Sequence, residues 1–196
     1  REVDAERRRI AAFVAGYSIE TTPGSAAKIA DYREHLAPGT RVAVTFLPGS
    51  DWRDTVATAE RLRREGMEPV SHVAARSIPD ARTLDAFVGA LAERAGARRA
   101  VVLAGAVDRP AGCFASSMDL LETGVFEGAG IRRLGVAGHP EGSPDIPDAE
   151  VWRALAWKQD YAMRTGSEIE IVTQFAFEAA PLIAWDRALR ENGIQL

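Results

Sequence analysis

The sequence has little cysteine, no long apolar run and no excess of basic charge. Its single cysteine, Cys113, excludes an internal disulfide and a metal site built from several thiolates, and it fits a cytoplasmic protein. No apolar run approaches the roughly 20 residues of a membrane-spanning helix, so we expect no membrane partner. The net charge is −4, and arginine pairs are interleaved with acidic residues. This pattern is typical of solvated helix faces and strand starts, and it excludes the basic stripe of a nucleic-acid-binding surface.

Several motifs that identify enzymes directly are also missing. Neither a GxGxxG sequence nor a Walker loop is present to bind phosphates, and there is no nucleophile elbow for Ser/His/Asp catalysis. His35 and His139 are not spaced as metal ligands, so the sequence predicts no metal site. Any chemistry must therefore depend on residues that the fold brings together.

Apolar, strand-like runs alternate with helix-like segments along the 196 residues, a length that fits one domain. Regular strand–helix alternation indicates a parallel sheet covered by helices. The predicted strands cover residues 17–21, 41–47, 69–75, 100–104, 133–137 and 168–173, and the predicted helices cover 4–14, 24–36, 51–65, 80–95, 116–126, 148–164 and 180–191.

Six strand–helix units are compatible with two architectures, an open doubly wound sheet and an eight-stranded barrel that lacks two units. We favour the second, an α/β fold in which residues 1–196 form a single (β/α)8 TIM-barrel domain without its last two strand–helix units. We expect the sequence to be a fragment, because an unclosed barrel exposes two strand edges. Further residues, domain swapping or a partner chain, a homo-oligomer included, would cover those edges.

Polar residues at the ends of predicted strands are the candidates for chemistry, because the loops at this end of a barrel converge on one face. Glu20 ends the first strand. Partial burial at a barrel mouth favours a protonated carboxyl group, which can act as a general acid, but an exposed strand-end glutamate is the simpler interpretation. His72 lies within an apolar strand, where a core histidine is more common than one that contacts a cofactor.

Three later strand ends offer further candidates. Small residues at 103–108 would let a ligand approach the backbone, although a tight turn explains them equally well. The polar loop at 138–144 is rigid enough to carry function, or it is a structural loop. The Gln174 amide could pair with the edge of a heterocycle, or it caps a loop while Phe175 or Phe177 packs in the core.

Taken in order, these clusters resemble the methylenetetrahydrofolate reductase family. No single motif is decisive, but the order and spacing of the matches extend over nearly the whole chain. The matching segments are Ser18-Ile19-Glu20, Val44-Thr45, Ser71-His72-Val73, Leu103-Ala104-Gly105, Phe114-Ala115, Asp119-Leu120-Leu121, Val136-Ala137-Gly138-His139-Pro140-Glu141, Lys158 and Ile171-Val172-Thr173-Gln174-Phe175.

The resemblance implies a (β/α)8 barrel that binds FAD and takes hydride from NAD(P)H, reducing 5,10-methylenetetrahydrofolate to 5-methyltetrahydrofolate. It implies that Glu20 is the acid that promotes opening of the methylene bridge, and that Gln174 and Phe177 bind the folate, Gln174 at the pterin. Lys158 would lie near the flavin phosphates. The other residues implied to line the cofactor site are Thr45, His72, Ala104, Gly105, Ala106, Asp108, Ala115, His139 and Ser143.

One departure from the family keeps alternatives open. The family usually has Arg-Gly-Asp after the fourth strand, where this chain has Ala104-Gly105-Ala106, and Asp108 could substitute for the missing acid. One alternative is a flavin-independent reductase that takes hydride directly from NADH on the same barrel. The other is a folate-binding barrel without redox chemistry.

Overall fold

Six parallel strands follow one another across a single sheet in sequence order. The computed structural model describes residues 2–196. Each strand matches a predicted one to within a residue at either end, except that β2 ends three residues early, ahead of Pro48-Gly49. The strands are β1 (Ser18–Thr21), β2 (Arg41–Val44), β3 (Glu68–Ala74), β4 (Arg99–Leu103), β5 (Arg133–Gly138) and β6 (Glu168–Thr173).

The sheet is curled into a half-barrel. Arg41 on β2 and Glu170 on β6 form an ion pair, with 3.7 Å between Nη1 and Oε2. In a flat sheet these strands would lie about 19 Å apart, four strand spacings, which is beyond the reach of the two side chains. The strand order also never reverses, as it does in a doubly wound sheet, so the open-sheet alternative is wrong. The architecture is compatible with part of a TIM-like barrel.

Helices cover the convex side of the sheet. Val42 and Val44 of β2 pack against Leu62 and Met67, and a larger cluster that includes Phe87 lies over β3 to β5. The helices are α1 (Glu2–Val14), α2 (Pro23–Ala26), α3 (Trp52–Arg64), α4 (Ala81–Arg94), α5 (Ser117–Leu121), α6 (Val125–Gly128), α7 (Asp148–Thr165) and α8 (Ala179–Glu191).

The helix predicted over residues 24–36 does not form. Instead α2 is a single turn, and a 3-10 turn at Tyr32–Glu34 follows. The Arg61 guanidinium on α3 donates hydrogen bonds to the carbonyl oxygens of Ala26 and Ile29. A side chain from elsewhere in the chain therefore satisfies carbonyl groups that a continuous helix would satisfy internally.

The helix predicted over residues 116–126 is also wrong as a single element. It divides into α5 and α6 at Gly124, whose φ of +72° places it in the left-handed region. Glycine adopts this conformation at little cost, so the chain turns sharply there. The remaining predicted helices form close to their expected positions, and Asp51 and Asp80 cap α3 and α4.

The two margins of the half-barrel are less covered than its centre. In the part of the chain described, β1 pairs only with β2, and β6 pairs only with β5. Near β1, Phe13 of α1 is 89% exposed, and beyond β6 Ile183 of α8 is also exposed. Unpaired edges flanked by exposed apolar side chains are interaction surfaces in folded proteins.

Candidate active site

Most of the predicted site residues lie near or just after the carboxyl ends of the strands, several of them on the concave face, whereas Lys158 lies within α7. Because side chains alternate along a strand, neighbours of core residues face the opposite side of the sheet. Val44 and Val73 pack in the core under the helices, so Thr45 and His72 face the concave side. The Thr45 N–H donates to the Thr21 carbonyl oxygen at 2.9 Å, which continues the β1–β2 pairing by one residue.

Glu20 and His72 are in direct contact. His72 Nε2 lies 3.7 Å from Glu20 Oε2, longer than a hydrogen bond but close enough for strong electrostatic coupling. The two residues come from β1 and β3, with β2 between them. Both residues were selected from the sequence, but nothing in the sequence indicated that their side chains are in contact.

The two members of this pair have different surroundings. Burial lowers the pKa of the His72 imidazole, and the Glu20 carboxylate partly opposes that shift. Glu20 itself is not partly buried as expected, since 62% of its side chain is exposed. The reason is that β1 pairs only with β2 in the described part of the chain, so no strand on its other side shields the carboxylate.

Two predicted site residues carry enclosed polar atoms that lack a hydrogen-bond partner among the described residues. These atoms are Thr45 Oγ1, which follows β2, and His139 Nδ1, which follows β5. Buried polar atoms are almost always paired in folded proteins, so each exception calls for an explanation. A bound ligand or water molecule would satisfy both.

The loop after β4 is held in place by Arg76, a residue that the sequence analysis did not select. Arg76 Nε donates to the Ala115 carbonyl oxygen at 3.0 Å, and its Nη1 donates to that of Val107 at 3.3 Å. Its backbone N–H also bonds the Ala104 carbonyl oxygen. No local pattern could have identified this role, because the contacts cross from the end of β3 to loop residues that lie 31 and 39 positions later in the sequence.

Within that loop, small side chains permit close packing against β3. Gly105 has a φ of +93°, and a Cβ atom there would lie 3.2 Å from the Ala74 Cβ. Ala106, Asp108 and Ala115 are exposed, and Ala104 is half-buried. The loop therefore offers a small, accessible backbone surface, with Asp108 as its exposed acid.

The loop after β5 borders an open groove of about 760 Å³. His139 and Ser143 line one side, and Trp152 of α7 and Trp185 of α8 line the other. The Ser143 hydroxyl also accepts a hydrogen bond from the Asp145 N–H, which shapes the turn. The groove places His139 next to space that a ligand could occupy.

Lys158 on α7 is a buried cation with no counter-charge among the described residues. Its exposure is 5%, and it lies on the same helix face as the buried Leu155 and Tyr161. Burial lowers the pKa of the Lys158 ammonium to about 8. Burial, and then the nearby Lys158 ammonium, lower the pKa of the His139 imidazole. The Lys158 ammonium is therefore a cation that an anionic group could pair with, and the neutral form of the His139 imidazole is favoured beside it.

The predicted folate-binding residues lie apart from these groups, on the exposed segment after β6. Gln174 is exposed, and Phe177 is 92% exposed. Phe175 and Phe177 contact each other edge to face, with ring centroids 4.9 Å apart. The alternative in which Phe175 or Phe177 belongs to the core is wrong, because both rings face solvent.

A search of protein-family models found no family that matches this chain.

Across residues 2–196, no group of three or more His, Cys, Asp or Glu side chains is arranged to hold a metal ion. None of the described helices is both long enough and apolar enough to cross a membrane.

Proposed function

We propose that this chain is a methylenetetrahydrofolate reductase, which reduces 5,10-methylenetetrahydrofolate to 5-methyltetrahydrofolate with hydride from NAD(P)H via FAD. One juxtaposition carries the proposal. Glu20 of β1 and His72 of β3 contact each other on the concave face of the curled sheet. His139 directly follows β5, and the Lys158 ammonium on α7 is near enough to His139 to lower its pKa. A proton donor and an anion site are what a reductase of a bridged amine with a phosphate-bearing cofactor requires.

In this proposal Glu20 acts on the substrate. A carboxyl group on the concave face gives a proton to a nitrogen of the methylene bridge, and the bridge opens to an iminium electrophile. Proton transfer by a positioned side chain typically contributes ~10²–10⁴-fold to a rate. Gln174 would then orient the pterin through its amide, which both donates and accepts hydrogen bonds.

The residues near the β5 end fit a phosphate-bearing cofactor. The buried Lys158 ammonium lacks a counter-charge, and His139 Nδ1 lacks a partner, among the described residues. Lys158 would hold the phosphates of FAD, while Thr45 and His72 would line its ring from the concave face. FAD, when bound, supplies hydride transfer between NAD(P)H and the folate.

A flavin-independent NADH-linked reductase is the second candidate. The observation that favours it is the loop after β4, where Ala104 and Ala106 bring no charged side chain to the cofactor. Asp108, the nearest acid in that loop, is exposed. The same two uncharged residues, Ala104 and Ala106, also support a third candidate, a folate-binding barrel without redox chemistry.

Three measurements on the purified protein separate these functions. The flavin reductase is yellow after incubation with FAD, oxidises NAD(P)H and forms 5-methyltetrahydrofolate. The flavin-independent enzyme forms the same product without a flavin spectrum. Folate binding without NAD(P)H oxidation indicates a binding protein and refutes both reductase assignments.

The proposal includes closure of the half-barrel into a (β/α)8 barrel by two more strand–helix units, from this polypeptide or from a partner chain. The unpaired edges of β1 and β6 support it, as do the exposed Phe13 and Ile183 beside them. We expect the 196-residue chain alone to self-associate in sedimentation experiments, and Phe13→Ser with Ile183→Ser to reduce association. A monodisperse monomer of the unchanged chain would argue against closure.

A further inference from the structure

The contact between Glu20 and His72 joins two titratable groups with unequal access to solvent. Their side chains are separated by 3.7 Å between Oε2 and Nε2. The Glu20 side chain is mostly exposed, whereas that of His72 is 14% exposed. The pair therefore connects an enclosed base to an acid that both solvent and a ligand can reach.

The other charged groups on the concave face are engaged with one another. They lie at the strand starts, and Glu68 is four residues, or about 13 Å, before His72 along β3. Thr45, which is uncharged, follows β2 and continues the register in which Val44 pairs with Ser71. The partner of His72 on β4 is Val101. Glu20 is therefore the ionisable group that contacts His72 among the described residues. The ion pairs among the others are Arg41–Glu170, Arg99–Glu68, Arg99–Glu170 and Arg133–Glu168.

We propose that Glu20 and His72 bind one proton between them and act as a single acid, with His72 as the positioning residue that loads the proton onto Glu20. The identity of the final proton acceptor rests on the proposed function. The His72 Nε2–H bond breaks as the Glu20 O–H bond forms. That O–H bond then breaks as an N–H bond forms on the departing nitrogen of the methylene bridge. Water returns a proton to His72, and no electrons are transferred.

The coupling has a direct physical basis. Burial disfavours the imidazolium form of His72, and an ionised Glu20 favours it. The contact therefore stabilises a proton on His72 through the charge of the Glu20 carboxylate. Removal of the Glu20 charge should consequently lower the pKa of His72 further, which is the observable consequence of the 3.7 Å contact.

Histidine NMR tests the pair without any assay of activity. The chain has three histidines, at positions 35, 72 and 139, so His→Gln variants assign the imidazole signals. We expect Glu20→Gln to move the His72 titration to lower pH. We expect Glu191→Gln, a change at an exposed glutamate at the end of α8, to leave it in place. An unchanged His72 titration in Glu20→Gln overturns the proposal, and it does so whether or not the protein reduces folate.

The pH dependence of folate reduction tests the loading role. We expect His72→Gln to reduce the rate about tenfold or more at neutral pH, and the rate to recover as the pH falls and Glu20 takes its proton from water. An equal loss at every pH would assign His72 a structural role and overturn the loading step. If no folate is reduced by the wild type while the His72 titration responds to Glu20→Gln, the proposed function fails and the proton-sharing pair stands.

Discussion

The two ends of the concave face differ in how their charges are satisfied. At the amino end, β2 to β6 each begin with Arg or Glu, and these residues pair across strands in an amino-end layer of Arg41, Glu68, Arg99, Arg133, Glu168 and Glu170. Towards the carboxyl end, Glu20 and His72 contact each other, but Thr45 Oγ1, His139 Nδ1 and the Lys158 ammonium of α7 have no partner among the described residues. This carboxyl-end cluster consists of Glu20, Thr45, His72, His139 and Lys158.

This difference indicates a structural role for the amino-end layer and a functional role for the carboxyl-end cluster. Glu170 bridges Arg41 of β2 and Arg99 of β4, so the charges of the amino-end layer are paired across the curled sheet without any ligand. The carboxyl-end cluster keeps a buried ammonium and two enclosed polar atoms at a cost in stability. Groups of this kind cluster at functional sites, where a bound ligand or the reaction offsets the loss of stability.

The largest expected effect comes from a matched pair of glutamate variants on the same face. Glu20→Gln should lower folate reduction by ~10²–10⁴-fold, because it removes the proton donor. It should retain reduction of bound flavin by NAD(P)H, which needs no proton from Glu20. Glu170→Gln, in the amino-end layer, should keep most folate turnover. Near-normal turnover in Glu20→Gln would remove Glu20 from the mechanism.

The buried Lys158 should make stability depend on pH in the alkaline range. The unfolded chain keeps this proton up to the usual pKa near 10.5, whereas the folded chain loses it from about 8. Between these values the unfolded state binds more protons, so the contribution of Lys158 to the free energy of unfolding rises with pH. Below pH 8 its penalty is fully present, on the order of 3 kcal/mol.

Lys158→Met should therefore be more stable than the wild type below pH 8, and the gain should disappear towards pH 10.5. The chain has one other lysine, the exposed Lys28, so Lys28→Met is the matched control and should show no such trend. Denaturant unfolding at several pH values measures the difference. A pH-independent difference between the Lys158→Met variant and the wild type would show that this ammonium is not desolvated in the folded chain.

A smaller effect is expected for Gln174→Ala. The loss of one hydrogen bond to the pterin costs ~0.5–1.5 kcal/mol, or up to about tenfold in folate affinity. Reduction of bound flavin by NAD(P)H should be unaffected. Equal damage to both half-reactions would instead assign Gln174 to the structure of the segment after β6.

The smallest expected effect is the change in the free energy of unfolding caused by Glu170→Gln. Its partners Arg41 and Arg99 lose a charged acceptor, but 48% of the Glu170 side chain is exposed. Exposed ion pairs contribute ~0–1 kcal/mol, so the free energy of unfolding should fall by no more than that at low salt. The difference should shrink in high salt. A loss of several kcal/mol would show that the amino-end layer is far more important than its exposure suggests.

The elements of the fold were largely predictable from the sequence, and its curvature was not. All six strands carry local apolar patterns that end at turn residues. The curl brings together residues such as Arg41 and Glu170, from strands far apart in sequence, and it leaves no local pattern. The false helix over residues 24–36 has the same cause, since Arg61 is about 30 residues away from the carbonyl groups that it binds.

The site was predictable as a set of residues but not as a geometry. Strand-end position selected Glu20 and Gln174, yet it could not show that Glu20 is exposed beside an edge strand. Lys158 came from the family resemblance alone. The helical pattern could also have identified it, because Lys158 lies three residues after Leu155 on the buried face of α7. A charged residue is rarely buried on such a face unless it is paired with another group.

FAD titration of the wild type, Lys158→Met and Lys28→Met tests the central claim, that the carboxyl-end cluster is completed by an anionic cofactor. Flavin fluorescence quenching gives the affinity without any turnover. The wild type and Lys28→Met should bind FAD alike, and Lys158→Met should bind about 10–100-fold more weakly, the effect of losing a hydrogen bond to a charged group. Equal affinity in all three proteins, or no FAD binding by the wild type, would contradict the account.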